Sequence, residues 1–215
     1  STDTPTAVDG PDPNDGAATI AQGDYFIVNH GIAPDSGDEK VYTYTLVLNL
    51  YVPSEVRPMV TGGWASLAVF RGTTYNGDIF LRPNGTIGIT PTGYVGDVYE
   101  DDKWFQLALV SEKDTRFDYY VDGVKVLEGG DSQDVFDRLG LLNEFYLFAD
   151  FDGDNQDGPV RVAGMAIFDR ALTDAELQAI VPANILDINF NGDYGIDLID
   201  FAVLADEWMQ KVLWP

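Results

Sequence analysis

The chain has 215 residues, 45% of them hydrophobic, enough for one sandwich-sized domain and a small appendage. Its formal net charge of -24, from 36 acidic residues against 12 basic ones, excludes the basic surface that nucleic acid requires. Cysteine is absent, which excludes disulfides and thiol chemistry, and no apolar run approaches the roughly 18 residues of a membrane helix. Only eight of the acids are Glu; the rest are Asp, the residue of turns and calcium loops. Self-repulsion at this charge destabilises a compact fold unless cations screen or bind it. A dependence on divalent ions is therefore expected. No signal peptide is present in this sequence, so if the protein is exported the mature form is expected.

Residues 1–16 are rich in Pro, Asp and Gly, hold four Asp and lack Lys and Arg, which predicts an irregular acidic arm. From Ala17 the pattern becomes strand-like. Strands are predicted at Thr19–Asn29 and Tyr42–Val52. The second alternates Tyr42, Tyr44, Leu46, Leu48 and Leu50 with Thr43, Thr45, Val47, Asn49 and Tyr51. Shorter ones follow at Ser66–Arg71, Asp78–Arg82 and Thr86–Thr90, the last two joined by the hairpin signal Pro83-Asn84-Gly85. Trp104–Glu112 and Phe117–Val121 come next, then Asp122-Gly123 turning into Val124–Leu127. Phe145–Ala149 and Val160–Phe168 complete the set. Many short strands separated by turn signals predict an all-β antiparallel β-sandwich. One short helix closes it: Thr173-Asp174-Ala175-Glu176 is a capping box, the helix reaches about Ile180, and Pro182 ends it. The domain boundaries expected are 1–16, 17–183 and 184–215.

Four pieces of this middle region carry a resemblance. They are Trp104-Phe105-Gln106-Leu107, Tyr120-Val121-Asp122-Gly123, Phe148-Ala149-Asp150, and the run Met165 to Leu177 with its ending Phe168-Asp169-Arg170-Ala171-Leu172-Thr173 and Glu176-Leu177. The region resembles the laminin-G-like, concanavalin-A-like jelly rolls of bacterial surface proteins over about residues 17–181. The resemblance implies a two-sheet jelly roll, often with bound calcium, used for ligand binding or as a spacer. Members commonly begin with a strand upstream of the position of Ala17. Here the acidic arm occupies that stretch, so the expectation is a sheet edge that is either left open or covered by something else.

Two acidic loops are candidates for metal. Asp150, Asp152, Asp154 and Asp157 place four carboxylates in eight residues, too close to stay ionised together without a cation or wide solvent exposure. A second calcium site and a solvated acidic hairpin loop are both consistent with this spacing. Near the C-terminus, oxygen-bearing side chains fall at Asn189, Asn191, Asp193, Asp197 and Asp200, which are positions 1, 3, 5, 9 and 12 of a calcium loop. Ile196 supplies an inward apolar residue. Leu198–Met209 reads as the exiting helix, N-capped by Asp197, with Ile199, Val203, Leu204 and Trp208 on one face.

This run resembles one half of a type I dockerin. The resemblance implies side-chain ligation of Ca2+ by Asn189, Asn191, Asp193, Asp197 and Asp200, with the Gly195 carbonyl as a further ligand. Position 1 is Asn rather than Asp. Position 6 is Tyr194, where Gly makes a sharp turn of positive φ. A second register, from Asp187, places Gly192 at position 6 and Leu198 at position 12, which cannot coordinate; Asp187 is kept as a substitute ligand. The resemblance covers roughly 25 residues and one loop of the two that a cohesin-binding dockerin carries.

An enzyme is not expected. A retaining glycosidase needs two carboxylates about 5 Å apart, and glucanases of this jelly roll carry them as Glu-x-Asp-x-x-Glu on one strand. Glu100 with Asp102, and Glu112 with Asp114, lack the third acid. The single His30 reads as a strand-end residue, and zinc and phosphate-cradling motifs are missing. Sugar binding needs exposed aromatic platforms. Trp64, Tyr75 and Tyr94 are the candidates because all lie in loop-like segments; the competing role for each is to cap the core. Trp208 and Trp214 are expected to pin the C-terminal module to the sandwich. The expected function is a secreted or cell-surface, non-catalytic, calcium-binding module for recognition or adhesion, without membrane insertion, with glycan or another surface protein as partner. The alternative is a structural subunit of an extracellular layer or filament, a homo-oligomer or polymer built by strand or tail exchange across the open edge.

Overall fold

Alternating apolar residues near the middle of the chain seed the fold. In the computed structural model, which describes residues 6–11, 16–35, 37–54, 64–72, 78–82, 85–151, 156 and 159–180, the strand β4 (Tyr44–Tyr51) directs Tyr44, Leu46, Leu48 and Leu50 into the main core and Val47 into a second one. Strands are numbered in chain order. The larger sheet has seven, in the spatial order β1 (Thr6–Asp9), β2 (Gly16–Ile20), β13 (Val160–Phe168), β4, β9 (Trp104–Glu112), β10 (Arg116–Val121) and β11 (Val124–Glu128). The smaller has six: β3 (Phe26–Asn29), β12 (Glu144–Leu147), β5 (Ala65–Val69), β6 (Ile79–Arg82), β7 (Thr86–Ile89) and β8 (Gly93–Val95). Neighbouring strands run antiparallel throughout, for example β4 with β9 from Tyr44 opposite Ser111 to Tyr51 opposite Trp104. The main core lies between the sheets. Phe70, Phe117, Tyr119 and Phe145 are fully buried in it, and burying an aromatic of this size contributes about 1.5–3 kcal/mol. The expected all-β antiparallel sandwich is therefore the fold.

Several local expectations change. The predicted strand Thr19–Asn29 is two strands in different sheets. The chain turns at Gly23 (φ 89°), where the Asp24 N–H donates to the Ala21 carbonyl, and crosses from β2 to β3. The acidic arm is not wholly irregular, because β1 pairs with β2 from Thr6 opposite Thr19 to Asp9 opposite Gly16. β1 therefore covers that side of β2, the second of the two alternatives, and is itself the edge strand of the larger sheet. A second helix, α1 (Gln133–Leu139), was not expected. It buries Val135, Phe136 and Leu139 over one end of the sandwich, and the buried Tyr44 hydroxyl donates to the Leu139 carbonyl at 2.6 Å. The hairpin at Asp122-Gly123 is as predicted, with both residues at positive φ (47° and 72°), the type I′ geometry.

The expected helix is α2 (Asp174–Ala179), and its capping box is complete. The Glu176 N–H donates to the Thr173 hydroxyl at 3.3 Å, and the Thr173 N–H donates to Glu176 Oε2 at 2.8 Å. Burial by itself would raise the Glu176 carboxyl. The bonds from Thr173 and from the Arg170 guanidinium outweigh it and hold the pKa below its ordinary value. Leu172 and Leu177 pack with Val47, Ala108, Val110 and Tyr120, so α2 covers the outer face of the larger sheet. Replacing Thr173 by Ala is expected to cost about 1 kcal/mol of stability, the usual worth of an N-cap, measured by urea unfolding. With α2 lying on the larger sheet, the outer face of the smaller sheet is where a ligand surface can be sought.

Candidate ligand-binding surface

Strand register determines what the smaller sheet shows to the outside. Tyr146 stands opposite Ile27 on one side and Val69 on the other, while Phe145 and Leu147 point into the core. On the far half of the sheet Ser66, Phe80, Gly88 and Tyr94 face one another in succession across β5 to β8. Ile79, Leu81 and Ile87 alternate with this row and are buried in the core. The outer face is markedly apolar. Among the described residues four large hydrophobic side chains are exposed, and three of them belong to this sheet or its flank: Tyr25 at 42%, Ile27 at 53% and Tyr94 at 40%.

Two aromatic groups occupy it. At the β3 end Tyr25, Tyr146 and Phe151 meet edge-on, with ring centroids 4.9–6.0 Å apart. At the β8 end Trp64 packs edge-on against Phe80 and Tyr94, both at 5.5 Å. The Arg82 guanidinium lies over the Trp64 ring, with its Cζ 5.1 Å from the Tyr94 centroid. Trp64 and Tyr94, singled out from loop-like sequence, are thus brought together. Tyr75 lies outside the described residues. The guanidinium lies over both rings; Trp64 is half-buried, and Tyr94 is the more exposed of the pair. Arg82 was missed by sequence reasoning. The available signal was its place two residues beyond Phe80, hence on the same face of a strand.

The β7–β8 hairpin sets the position of Tyr94. Gly88, opposite Tyr94, has φ 142°, and a Cβ there would sit 2.1 Å from the Gly93 carbonyl oxygen, so this close approach requires glycine. The Thr92 hydroxyl bonds to the Ile89 carbonyl and pairs with the Tyr119 hydroxyl of the larger sheet, both at 2.9 Å. Burial pushes the Tyr119 phenol well above its ordinary value, which keeps it a neutral hydrogen-bonding group. The hairpin is in this way tied to the core.

The first acidic loop adjoins the same face. Phe148 leaves β12 with φ 64°, and its N–H donates to the Leu67 carbonyl at 2.9 Å. Asp150 Oδ2 accepts the Gln156 N–H at 3.0 Å, and the Gln156 carbonyl accepts the Ser66 N–H. Asp150 therefore closes its loop beside β5. Asp152, Asp154 and Asp157 lie outside the described residues. So do Asp187, Asn189, Asn191, Asp193, Gly195, Asp197 and Asp200 of the second loop, and Trp208 and Trp214. Among the described residues no group of three or more His, Asp or Glu side chains is placed to hold a metal ion. Of the four carboxylates of the first loop, Asp150 is the one among the described residues, and its Oδ2 accepts the Gln156 N–H.

The acids weighed for catalysis do not converge. Glu100 pairs with Lys103 at 2.5 Å in solvent. Asp102 Oδ1 accepts the Ser54 N–H at 3.0 Å, a bond that holds its carboxyl below the usual range. Glu112 pairs with Arg116 at 3.2 Å at the other end of β9, about 27 Å away along the strand. His30 uses both ring nitrogens structurally: Nε2 donates to the Leu142 carbonyl at 2.8 Å and Nδ1 accepts the Ile32 N–H at 3.1 Å. No helix among the described residues is long and apolar enough to cross a membrane.

No known protein family matches the sequence, and no curated protein does. Solved structures do match the fold. The receptor-binding domain of botulinum neurotoxin D aligns with a TM-score of 0.56 at 13% identity, over 79% of this chain and 44% of that one. The ligand-binding domain of botulinum neurotoxin serotype D in complex with N-acetylneuraminic acid aligns with a TM-score of 0.56 at 12% identity, over 84% and 45%. The binding domain of Paraclostridial Mosquitocidal Protein 1 gives 0.55 at 14% identity, over 82% and 45%. The chain spans under half the length of each. The laminin-G-like resemblance of residues 17–181 is compatible with the same architecture. At these identities the likeness is one of fold, and this chain is an antiparallel β-sandwich similar to part of a toxin binding domain.

Proposed function

We propose that this chain is a non-catalytic extracellular recognition module whose ligand class is glycan and whose stabilising ion is calcium. The observation that carries the proposal is the outer face of the smaller sheet, where Tyr94 stands exposed beside Trp64 and Arg82 on a hairpin tied to the core. Exposed rings beside polar groups suit the apolar faces of pyranose rings. The similar structures support a binding role because they are themselves binding domains, one of them seen with a sugar. They cover a larger unit than this chain, so the identity of the sugar is not carried over. Calcium rests on the spacing of the Asn189–Asp200 and Asp150–Asp157 loops. The alternative, assembly into a layer or filament, was motivated by an open edge beside β2; β1 covers that edge and is itself the edge strand of the larger sheet.

A glycan array probed in calcium and again in chelator tests this function. Binding to at least one glycan class is expected, weakened about tenfold or more by Tyr94→Ala. An array that stays blank in both conditions overturns the glycan reading.

A further inference from the structure

We propose that the free edge of β3 is a docking strand for an extended, cationic segment of a partner protein. This edge lies across the smaller sheet from Tyr94, and the proposal does not rest on the glycan reading. β3 ends the six-stranded sheet, and among the described residues no strand pairs with it on the side away from β12. The His30 N–H donates to the Asn143 carbonyl at 3.3 Å, and bonded pairs alternate along the ladder from there. Val28 and Phe26 therefore bond to β12, while the N–H and C=O groups of Ile27 and Asn29 point to the free edge. The far side of β12 fits the same alternation: the Phe148 N–H donates to the Leu67 carbonyl, which turns the Tyr146 backbone toward β5 and away from Ile27. Ile27 is 53% exposed, and Tyr25, two residues earlier on the same face, is 42% exposed.

Sheet edges are ordinarily guarded by charge, by proline or by shortness. The other edge strands keep to this: β1 carries Asp9, β11 carries Lys125 and Glu128, and β8 has three residues. β3 reads Phe26-Ile27-Val28-Asn29, uncharged and rich in strand formers. A second copy of the chain is disfavoured as the occupant, because each copy has a net charge of -24. The same charge favours a cationic strand. Residues 1–39 and 139–160, which include β3 and β12, hold no Lys or Arg. Asp24 precedes the strand, and Glu144 stands opposite Asn29. On the outer face, a Lys or Arg of the incoming strand can lay its apolar stem against Ile27 and Tyr25. Its charge then reaches toward Glu144, whose backbone is two strand spacings, about 10 Å, away. On the inner face an apolar residue continues the row of Phe26 and Val28. Main-chain bonds supply affinity in this mode, and the alternating side chains supply selectivity.

The test titrates a capped peptide of alternating Lys and Val, about seven residues long to span the edge, into the full chain by calorimetry at physiological ionic strength. Two controls have the same length. One carries Glu in place of Lys. The other keeps the charge but is N-methylated at every residue, so that it has no backbone donor for the ladder. The Lys–Val peptide is expected to bind at least about tenfold more tightly than either. Ile27→Lys guards the edge with a charge and is expected to weaken binding by at least about tenfold, while Ile27→Thr, still a strand former, weakens it less. A melting curve for each variant confirms folding. Equal binding of the N-methylated peptide overturns the proposal, because charge alone then accounts for the attraction. Binding that survives Ile27→Lys, or no binding of the Lys–Val peptide, overturns it too. Dimerisation of the chain alone in light scattering, lost in Ile27→Lys, makes the occupant a second copy and overturns the cationic partner. Each of these outcomes leaves the Tyr94 surface and its glycan array untouched.

Discussion

Asp78→Ala is expected to lower the unfolding free energy by about 3 kcal/mol, because it takes the buried counter-charge from two partly buried guanidiniums. The carboxylate is fully buried just before β6. It accepts the Phe70 N–H at 2.8 Å and Arg71 Nε at 2.8 Å, and Arg138 Nε of α1 lies 3.2 Å away. One side chain thus ties the end of β5, the start of β6 and α1 together. Burial raises the Asp78 carboxyl above its ordinary value in spite of two guanidiniums, and burial likewise lowers Arg138. Both shifts record the desolvation spent in assembling the cluster, so its formation is close to neutral while its disruption is not. The sign of the pH effect follows. Between the unfolded and the raised folded pKa the folded state holds the extra proton, so stability from this site falls as pH rises through that window, and its titration does not drive acid unfolding. Urea unfolding followed by tryptophan fluorescence gives the number. Asp78→Asn keeps an acceptor and should cost less than the Ala variant. An Ala variant within 1 kcal/mol of the parent would mean that water reaches Arg71 and Arg138 and replaces the carboxylate.

What could be read from sequence divides along physical lines. β9 and β13 were predicted to the residue, because long apolar runs bounded by turn residues carry a strong strand signal. The α2 cap was equally legible, since a capping box is local chemistry. β1 was not, because Thr6-Ala7-Val8-Asp9 is a weak strand signal within a Pro- and Asp-rich arm and forms by pairing with β2. α1 escaped because seven residues give barely two turns of periodicity after a Gly-Gly sequence. The merging of β2 with β3 has a similar origin: nothing in the run from Thr19 to Asn29 says that its two halves serve opposite sheets. The candidate site was half legible. Trp64 and Tyr94 were identifiable as aromatics near turns, but their contact depends on Gly88 and on pairing across β6, β7 and β8. Arg82 has no motif, and only the register of β6 puts it on the outer face.

Calcium is expected to raise the melting temperature in two separable steps. Each site that binds only the folded state adds about 2.7 kcal/mol when free ion reaches 100 times its dissociation constant. Replacing Asp193 and Asp200 by Ala should remove one step; replacing Asp152 and Asp154 by Asn should remove the other and spare Asp150, whose bond to Gln156 closes the loop. The control matters more than usual here. A chain of charge -24 is stabilised by any salt that screens self-repulsion, so the comparison must be made at matched ionic strength against sodium and against magnesium. Magnesium prefers rigid octahedral sites and keeps its waters, so it separates screening by a divalent ion from chelation by a flexible oxygen loop. The Asn189–Asp200 loop has one carboxylate fewer than an Asp-led loop, and calcium coordination in this register would ask of Tyr194 a backbone better suited to glycine, so its step should need the higher calcium concentration. If magnesium and matched sodium reproduce the whole shift, charge screening accounts for the ion dependence. The abundance of Asp over Glu is then a matter of turn chemistry rather than of coordination.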